Sequence, residues 1–366
     1  MFPVTQEWTY CDHAAVGPLP LPTRDAVVRV LDAQMRAGTA GILGVEARKE
    51  EIRNRVAAAI GATPQEIAFM RATSDGALLV ANGLDWRPGD EIVFSDDEFG
   101  ANAHPWLNLR AQGVKTRLVR TPRARLTVET LERIASPRTK LVAVSQVGFS
   151  DGYRHDIAAL GRFCRERGIL LAVDAIQGFG ALPLDVCAWH VDFCYFGAAK
   201  WLLSPQGVSV VFVKREHIER IGPAMLSWRS VRDPMRFLDY AQELDSSAAR
   251  FEGGTISYSA LEGFGESLHI LAAAGFEAIE RHVLALNERL VGKARDAGVK
   301  VLSSTQPNTR SGIVLLDRGK QSVEALQLRA KHKRIAVTIR DAGVRLAPHG
   351  YNTEREIDAL VELVAP

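Results

Sequence analysis

The chain has 366 residues, of which 47% are hydrophobic and 24% charged, and its 45 basic residues nearly balance 43 acidic ones. This composition is typical of a globular enzyme with a large core, and the length favours two or three domains. The near-neutral balance gives no reason to expect a nucleic acid or an anionic membrane as a partner. No apolar run approaches the roughly 20 residues of a membrane span, and no signal peptide is recognised, so we expect a cytoplasmic enzyme.

The first two thirds of the chain alternate helix-like and strand-like patterns. An arm over residues 1–20 precedes helical sequence at 22–60, which the glycine-containing stretch GTAGILG interrupts. Strands are predicted at 66–70, 90–95, 115–120, 140–148, 168–175, 191–199 and 207–214, and helices between them at 71–84, 104–113, 127–135 and 156–168. Most of these strands are continuous apolar runs, which favour a parallel or mixed sheet covered by helices on both faces.

The pattern changes near residue 260. Long helical sequence at 259–298 is followed by predicted strands at VKVLSS (299–304), SGIVLLD (311–317), IAVTIR (335–340) and VRLAP (344–348), with helices at 322–332 and from Thr353. This order is typical of a smaller α+β unit. We therefore predict an N-terminal arm (1–20), a large α/β domain (21–258) and a small C-terminal domain (259–366).

Cysteine and histidine are too sparse to predict a metal site. The four cysteines, Cys11, Cys164, Cys187 and Cys194, include no CxxC pair and match no zinc spacing. So few cysteines in a long chain suit a reducing compartment. The motifs GxxxxGK[ST], HExxH and GxSxG are absent, and GFG at 178–180 lacks the third glycine of a dinucleotide fingerprint.

Polar residues follow the ends of several predicted strands. VDAIQ ends an apolar run on Asp174 and continues to Gln177, GAAKW places Lys200 after the next run, and ATSDG (72–76) stands where a strand turns into a helix. Ligands of open α/β sheets bind beyond the carboxyl ends of the strands. We therefore expect these residues to share one crevice.

Lys200 and Asp174 suit the two ends of one pyridoxal phosphate molecule. A lysine among apolar neighbours, as in FGAAKWLL, keeps its amine free to attack a carbonyl, and a carboxylate keeps a pyridine nitrogen protonated. Gln177 would donate to the phenolic oxygen of the ring. Each residue also has an ordinary explanation, as a lysine that reaches solvent, a turn acid and a loop glutamine bonded to the backbone.

Further candidates complete such a site. Thr73 and Ser74, with the amides of a helix start, would bind a phosphate, although a simple capping box is the commoner use of such a sequence. Phe99 in DDEFGAN would stack on the ring, although an isolated Phe is usually a core residue. Arg345 offers a bidentate guanidinium to a substrate carboxylate, with a surface arginine as the alternative. His13 is a candidate for the mouth of the pocket.

The chain resembles the class V aminotransferase group of fold-type I pyridoxal phosphate enzymes, which includes cysteine desulfurases, isopenicillin-N-epimerase-like proteins and kynureninases. The likeness spans nearly the whole chain, through YCDHAAVGPLP, RATSDGALLVANG, SDDEFGANAHPW, VGFSDGYRHD, VDAIQ, GAAKW, RFEGGT and RLAPHGYNTEREID. The D-x-x-Q and lysine pair, combined with the C-terminal R…YNT element, is its most specific part. The resemblance implies a large domain with a mostly parallel seven-stranded sheet between helices, and a smaller C-terminal α+β domain.

The resemblance also implies residue roles. Pyridoxal 5'-phosphate would form a Schiff base with Lys200, and Asp174 and Gln177 would hold its pyridine nitrogen and phenolic oxygen. The phosphate would lie on Thr73 and Ser74, the ring under Phe99, and the substrate carboxylate on Arg345. In such enzymes the GT of RFEGGT reaches the phosphate of the neighbouring subunit, which implies this role for Thr255 and a homodimer with shared active sites.

Three departures bear on the subtype. Phe99 stands where desulfurases usually place a histidine, and Gly197, Ala198 and Ala199 precede Lys200 where they often show Ser-x-His. The segment between IAVTIR and VRLAPH is too short for the loop that carries a desulfurase's nucleophilic cysteine, and no cysteine lies beyond Cys194. The sequence therefore argues against a persulfide-forming desulfurase.

We expect an enzyme that acts on an α-amino acid or a derivative through an external aldimine, with the freed Lys200 as general base at Cα. A class V aminotransferase is the first interpretation. A β-eliminating C–S lyase or an amino-acid epimerase is the alternative, and a kynureninase-type hydrolase or a cysteine desulfurase ranks lower. A non-catalytic member of the fold ranks last, because Lys200 is present.

Overall fold

A computed structural model of the protein describes residues 1–120, 125–223 and 225–365. Strand β1 (Thr9–Tyr10) lies in the N-terminal arm, and a seven-stranded sheet forms the centre of the molecule. The strands of this sheet are β2 (Ile67–Met70), β3 (Glu91–Ser95), β4 (Lys115–Val119), β5 (Thr139–Ser145), β6 (Leu170–Asp174), β7 (Phe193–Gly197) and β8 (Ser209–Val213).

The order of this sheet is β2-β8-β7-β6-β5-β3-β4, and β8 runs in the direction opposite to the other six strands. Parallel pairing joins β7, β6, β5, β3 and β4, so the carboxyl ends of these strands meet at the same edge. The mostly parallel seven-stranded sheet predicted from the sequence is therefore confirmed.

Helices cover both faces of the sheet, as its buried strands require. The helices of the large unit are α1 (Leu21–Ala37), α2 (Thr39–Ala59), α3 (Thr73–Gly83), α4 (His104–Asn108), α5 (Val128–Ile134), α6 (Ile157–Glu166) and α7 (Tyr258–Ala274). One core, which includes Phe196, joins the sheet to α2, α5, α6 and α7. A second core, with Tyr195, joins the other face to α3 and α4. Neighbouring residues of β7 thus point into opposite cores.

The C-terminal unit is built on an antiparallel three-stranded sheet of order β11-β12-β9. Its elements are α8 (Phe276–Asp296), β9 (Val314–Leu316), α9 (Val323–His332), β10 (Ile335–Ala336), β11 (Thr338–Arg340), β12 (Gly343–Leu346) and α10 (Glu354–Val364). Its core includes Leu290, Leu346 and Leu360. Strand β10 pairs in parallel with β1, so the N-terminal arm is attached to this unit.

Two predicted strands differ from the structure. VKVLSS forms only an isolated bridge from Val301 to Leu316, because the hydroxyl of Ser303 accepts the N–H of Leu315 at 2.7 Å and takes the place of a ladder bond. IAVTIR is two strands, since β10 pairs with the arm and β11 pairs with β12. The predicted helix at 104–113 is the short α4 followed by a 3₁₀ turn over Leu109–Gln112.

The predicted domain boundary at 258/259 stays a prediction. Helix α7 packs against α1 and α2, and its residues Leu261, Phe264 and Leu268 belong to the core of the large unit. On this packing we propose that the large domain extends through α7 and ends near Gly275. Among the described residues, no helix is both long and apolar enough to cross a membrane.

Candidate active site

Asp174 is the last residue of β6, at the edge where the parallel strands end. The strand register places Asp174 beside Ser145 of β5 and Tyr195 of β7. Its side chain is 2% exposed and accepts one backbone N–H, from Ile176 at 2.9 Å. Burial raises the pKa of Asp174 to about 6, although this N–H and the charge of Lys200 act in the opposite direction. A buried carboxyl with so few donors suits a cationic partner.

Lys200 follows β7 by three residues and lies in the same region. Burial lowers the pKa of Lys200 to about 8, and the charge of Asp174 partly offsets this shift. A larger fraction of the amine is therefore neutral than in a solvent-exposed lysine, which is what attack on a carbonyl requires. Its Nζ lies 5.8 Å from the centroid of the Phe99 ring.

The N-terminal arm lies directly on the turn that carries this lysine. The N–H of Gly17 donates to the carbonyl of Ala199 at 2.7 Å. A methyl group on Gly17 would overlap the carbonyl oxygen of Lys200, so only glycine permits this approach. The turn itself is tight, because Leu203 has a left-handed backbone with φ of 54°.

Gln177 connects the arm to the turn. Its Nε2 donates to the carbonyl of Ala14 at 2.9 Å, and its Oε1 accepts from Nε1 of Trp201 at 3.0 Å. These contacts fix the amide orientation and use one of its two N–H groups. The second N–H has no partner among the described residues, and its role at a ring oxygen stays a prediction.

The start of α3 has the character of an anion site. Ala72 occupies the N-cap position and has no side chain to accept the first N–H groups of the helix. Thr73 is buried, and a Cβ on Gly197 would come within 2.9 Å of its hydroxyl oxygen. The hydroxyl of Thr73 thus uses the space that a serine at position 197 would need. Ser74 is partly exposed beside it.

Phe99 is not a core residue, since 51% of it is exposed. Its ring meets Phe149 edge to face, with centroids 5.3 Å apart. The Phe99 ring also lies near Lys200, so it is available to stack on a ligand bound there. Phe149 was not recognised from the sequence, because one aromatic residue in a loop carries no periodic signal.

Arg345 lies on β12, on the side of the site that the small unit forms, and is 5% exposed. It donates to the carbonyl of Phe149 at 2.8 Å and to the hydroxyl of Thr338 at 3.1 Å, and its Nη2 lies 3.5 Å from Oδ1 of Asp12. Its buried Nε has no partner among the described residues. The guanidinium thus keeps capacity for a ligand. Asp12 was missed from the sequence.

His13 is fully buried, and both of its ring nitrogens have protein partners. Nδ1 donates to the carbonyl of Ala347 at 2.8 Å, and Nε2 accepts from the hydroxyl of Tyr351 at 2.8 Å. Burial holds its pKa well below the ordinary value, so the ring is neutral. These contacts attach the arm to the small unit, and a direct role of His13 in substrate binding stays a prediction.

Glu98 is a second carboxyl close to Asp174 that the sequence analysis missed. It accepts from the N–H of Ser145 at 2.7 Å, from the hydroxyl of Ser145, and from Nδ2 of Asn102 at 3.0 Å. Burial raises its pKa to about 7, and the charge of Asp174 adds to this shift. The available signal was an acid just beyond the end of β3, in DDEFGAN.

The side chains brought together here fit pyridoxal phosphate. Asp174 is a buried carboxyl short of a positive partner, Lys200 is an amine of lowered pKa, and Gln177 has a spare N–H. An uncapped helix start with the Thr73 hydroxyl offers donors for a phosphate. This donor set matches the aldehyde, pyridine nitrogen, phenolic oxygen and phosphate of that cofactor.

Comparison with known proteins agrees with this chemistry. The family model Aminotransferase class-V matches residues 9–360. The uncharacterized aminotransferase YcbU of Bacillus subtilis is 29% identical over 365 residues, which cover 100% of this chain and 96% of that protein. A probable cysteine desulfurase of Methanothermobacter thermautotrophicus is 30% identical over 296 residues, covering 79% and 72%.

Solved structures show the same fold. The cystine C-S lyase C-DES, in complex with its product cysteine persulfide, has a TM-score of 0.91 at 24% identity, covering 100% of this chain and 99% of that chain. Cysteine desulfurase from Thermococcus onnurineus has a TM-score of 0.90 at 24% identity, covering 99% and 96%. These likenesses confirm the fold-type I architecture. The chain belongs to the class V aminotransferase family, whose members depend on pyridoxal phosphate, and the cofactor predicted from the sequence is thereby confirmed.

Proposed function

We propose that the protein is an aminotransferase that uses pyridoxal 5'-phosphate and acts on an α-amino acid or a close derivative. The observation that carries this proposal is the position of buried Arg345, near enough to Lys200 for their charges to interact, on a hairpin that has no cysteine. Arg345 binds the substrate carboxylate, so the amine and the Cα–H bond are directed towards Lys200. The cofactor, when bound, supplies the electron sink for a carbanion at Cα.

Other residues of this chain would bind the cofactor, transfer the Cα proton and limit the access of water. Asp174 would hold the protonated pyridine nitrogen of the cofactor, because a buried carboxylate gains most from a cation beside it. Lys200 would remove the Cα proton and return it elsewhere, since burial lowers its pKa to about 8 and leaves about half of its amine neutral at pH 8. Phe99 and Phe149 form an apolar wall that limits water access.

The hairpin favours an aminotransferase over a persulfide-forming desulfurase. Arg340 of β11 pairs with Gly343 of β12, so only two residues form the turn. A persulfide requires a thiolate, and burial raises the pKa of Cys11 and of Cys194 well above the ordinary value.

We further propose a homodimer in which Thr255 reaches the cofactor phosphate of the second subunit. Thr255 is exposed in the segment before α7, and the preceding segment exposes the apolar side chains of Leu226, Phe237 and Leu238. Exposed apolar groups of this kind are typical of surfaces that a partner covers. Light scattering should give twice the chain mass, and Thr255→Val should weaken cofactor binding if the assignment is right.

The decisive experiment is the visible spectrum of the purified protein with added pyridoxal phosphate, before and after a panel of amino acids. An aminotransferase turns the yellow form into the colourless pyridoxamine form and releases a keto acid in equal amount. Lys200→Ala should lose this conversion, whereas Lys214→Ala, at an exposed ion pair with Glu216, should keep it. Ammonia with a cleaved side chain would indicate a C–S lyase instead, and an inverted amino acid an epimerase. A protein that never turns yellow would contradict the proposal.

A further inference from the structure

We propose that Asp12 is an internal counter-ion of Arg345 with which the carboxylate of every substrate and product must compete. This inference rests on the proposed role of Arg345 as the carboxylate anchor. It assigns to Asp12 a function in limiting affinity, so that a product carboxylate leaves the site more readily than an unopposed guanidinium would allow.

The contacts of Asp12 place it on the guanidinium. Its Oδ1 lies 3.5 Å from Nη2 of Arg345 and accepts the hydroxyl of Thr338 at 2.8 Å. The same hydroxyl accepts from Nη2 of Arg345 at 3.1 Å, so the hydroxyl of Thr338 connects the guanidinium to the carboxylate by hydrogen bonds. The side chains of Arg345 and Asp12 are 6% and 18% exposed, which limits solvent screening of the pair.

Arg345 does not depend on Asp12 for its orientation. Its Nη1 donates to the carbonyl of Phe149 at 2.8 Å, and its Nη2 donates to Thr338. These two neutral acceptors fix the plane of the guanidinium. Removal of the charge at position 12 should therefore change the electrostatics of the site and leave the direction of the guanidinium unchanged.

Asp12 in turn is held in place by the backbone on both sides. The N–H of Ala347 donates to the carbonyl of Cys11 at 2.7 Å, and the N–H of His13 donates to the carbonyl of Ala347 at 3.3 Å. These bonds attach the arm to β12 around Asp12. The carboxylate cannot leave the guanidinium by a backbone movement without breaking them.

A ligand carboxylate would thus place a second negative charge beside Arg345. Repulsion between two carboxylates that share one guanidinium should weaken binding by on the order of tenfold at a partly screened site. The charged groups that face Asp12 are cations on three elements, Arg345 on β12, Arg340 on β11 and Lys200 on its turn. Its neighbours Tyr10 and Cys11 are kept neutral by burial.

The same arrangement predicts a pH dependence with a definite sign. Burial raises the pKa of Asp12 above its ordinary value, despite the opposing effects of Thr338 and Arg345. Acid neutralises Asp12 while both arginines keep their charge. Carboxylate affinity should consequently rise as the pH falls.

The test uses calorimetric titration of the holoenzyme with methoxyacetate, a small carboxylate of low pKa that has no amine and so cannot react. At pH 8 we expect Asp12→Asn to bind it about tenfold more tightly than the unmodified protein, and the difference should shrink as the pH falls towards the pKa of Asp12. Asp341→Asn is the matched control, because Asp341 lies at the tip of the same hairpin with its side chain 99% exposed. The affinity of Asp341→Asn for methoxyacetate should stay within about twofold of that of the unmodified protein.

Arg345→Gln separates this inference from the proposed function. Loss of methoxyacetate binding in Arg345→Gln, with tighter binding in Asp12→Asn, supports both. If binding needs Arg345 and Asp12→Asn binds equally or more weakly, the counter-ion role is wrong and the anchor stands. If neither variant changes binding, Arg345 is not the anchor and both fail. Should Asp12→Asn not fold, an affinity of the unmodified protein that does not rise between pH 8 and pH 4 overturns the inference.

Discussion

The two sides of the site are built in different ways. On the cofactor side, Asp174 and Lys200 follow adjacent parallel strands, and the backbone register of β6 and β7 sets their separation. On the substrate side, Arg345 is oriented by the carbonyl of Phe149 and the hydroxyl of Thr338 and lies beside Asp12, and these three residues come from three other segments. The strand-built side should be hard to perturb from a distance, whereas the assembled side should respond to single contacts.

The largest effect is expected on the strand-built side. Asp174→Asn removes the negative charge that holds the cofactor's positive nitrogen, so kcat should fall by about 10² to 10³-fold, measured at saturating cofactor. Asp192→Asn is the control, because Asp192 is also buried but pairs with His217 just before β7, away from the strand ends that form the site. A similar loss in both variants would mean that general destabilisation, and not the cofactor contact, explains the result.

The assembled side should respond in KM. Arg345→Lys keeps the charge but loses the planar fork, so KM for the amino acid should rise by about 10 to 100-fold while kcat changes less. Steady-state kinetics measures both values, and Arg318→Lys, at the partly exposed ion pair with Asp341, is the control. A fall in kcat at unchanged KM would remove Arg345 from substrate binding.

The contact between the two sides can be broken at Gly17. Gly17→Ala would place a methyl group against the carbonyl oxygen of Lys200 and push the arm away from the lysine turn. The free energy of unfolding should fall by about 2 kcal/mol in denaturant titrations. Gly292→Ala, where the added carbon meets nothing within 4 Å on α8, should be neutral or stabilising. Equal stability of both variants would show that the arm can move away from the lysine turn at little cost in free energy.

The smallest effect concerns buried His349, which supports the lysine turn from the small unit. Its Nε2 donates to the carbonyl of Trp201 at 2.9 Å, its Nδ1 accepts from Gly350 at 2.7 Å, and burial lowers its pKa to about 4.

The unfolded chain binds a proton at this ring near pH 6.5 and the folded chain does not, so stability is lost as the pH falls from about 6.5 to about 4. His349→Gln should remove about 1–2 kcal/mol of the stability difference between pH 7 and pH 5, measured by denaturant unfolding. The exposed His332→Gln should leave this difference unchanged. If the stability of His349→Gln differs between pH 7 and pH 5 as much as that of the unmodified protein, other groups cause the pH dependence.

The contrast between the strand-built side and the assembled side also explains how much of the site could be predicted from the sequence. Continuous apolar strands that end on a polar residue leave a strong local pattern, so the sheet, Asp174 and Lys200 could be predicted. The contact of Asp12 with Thr338 could not be predicted from the sequence, because 326 residues separate the two and no periodicity connects them. The hydroxyl of Ser303, which takes the place of a ladder bond in VKVLSS, is likewise visible only once the fold places it beside Leu315.

The pairing of His13 with Ala347 spans 334 residues, and it bears on the order of events during synthesis. The arm is made first, but its partners in the small unit, Ile335, Ala336 and Ala347, are among the last residues made. The strands that carry Asp174 and Lys200 are complete well before that moment. A nascent chain can therefore form its central sheet early, whereas Arg345 can join Asp174 and Lys200 only after translation of β12, so the site is completed late in synthesis.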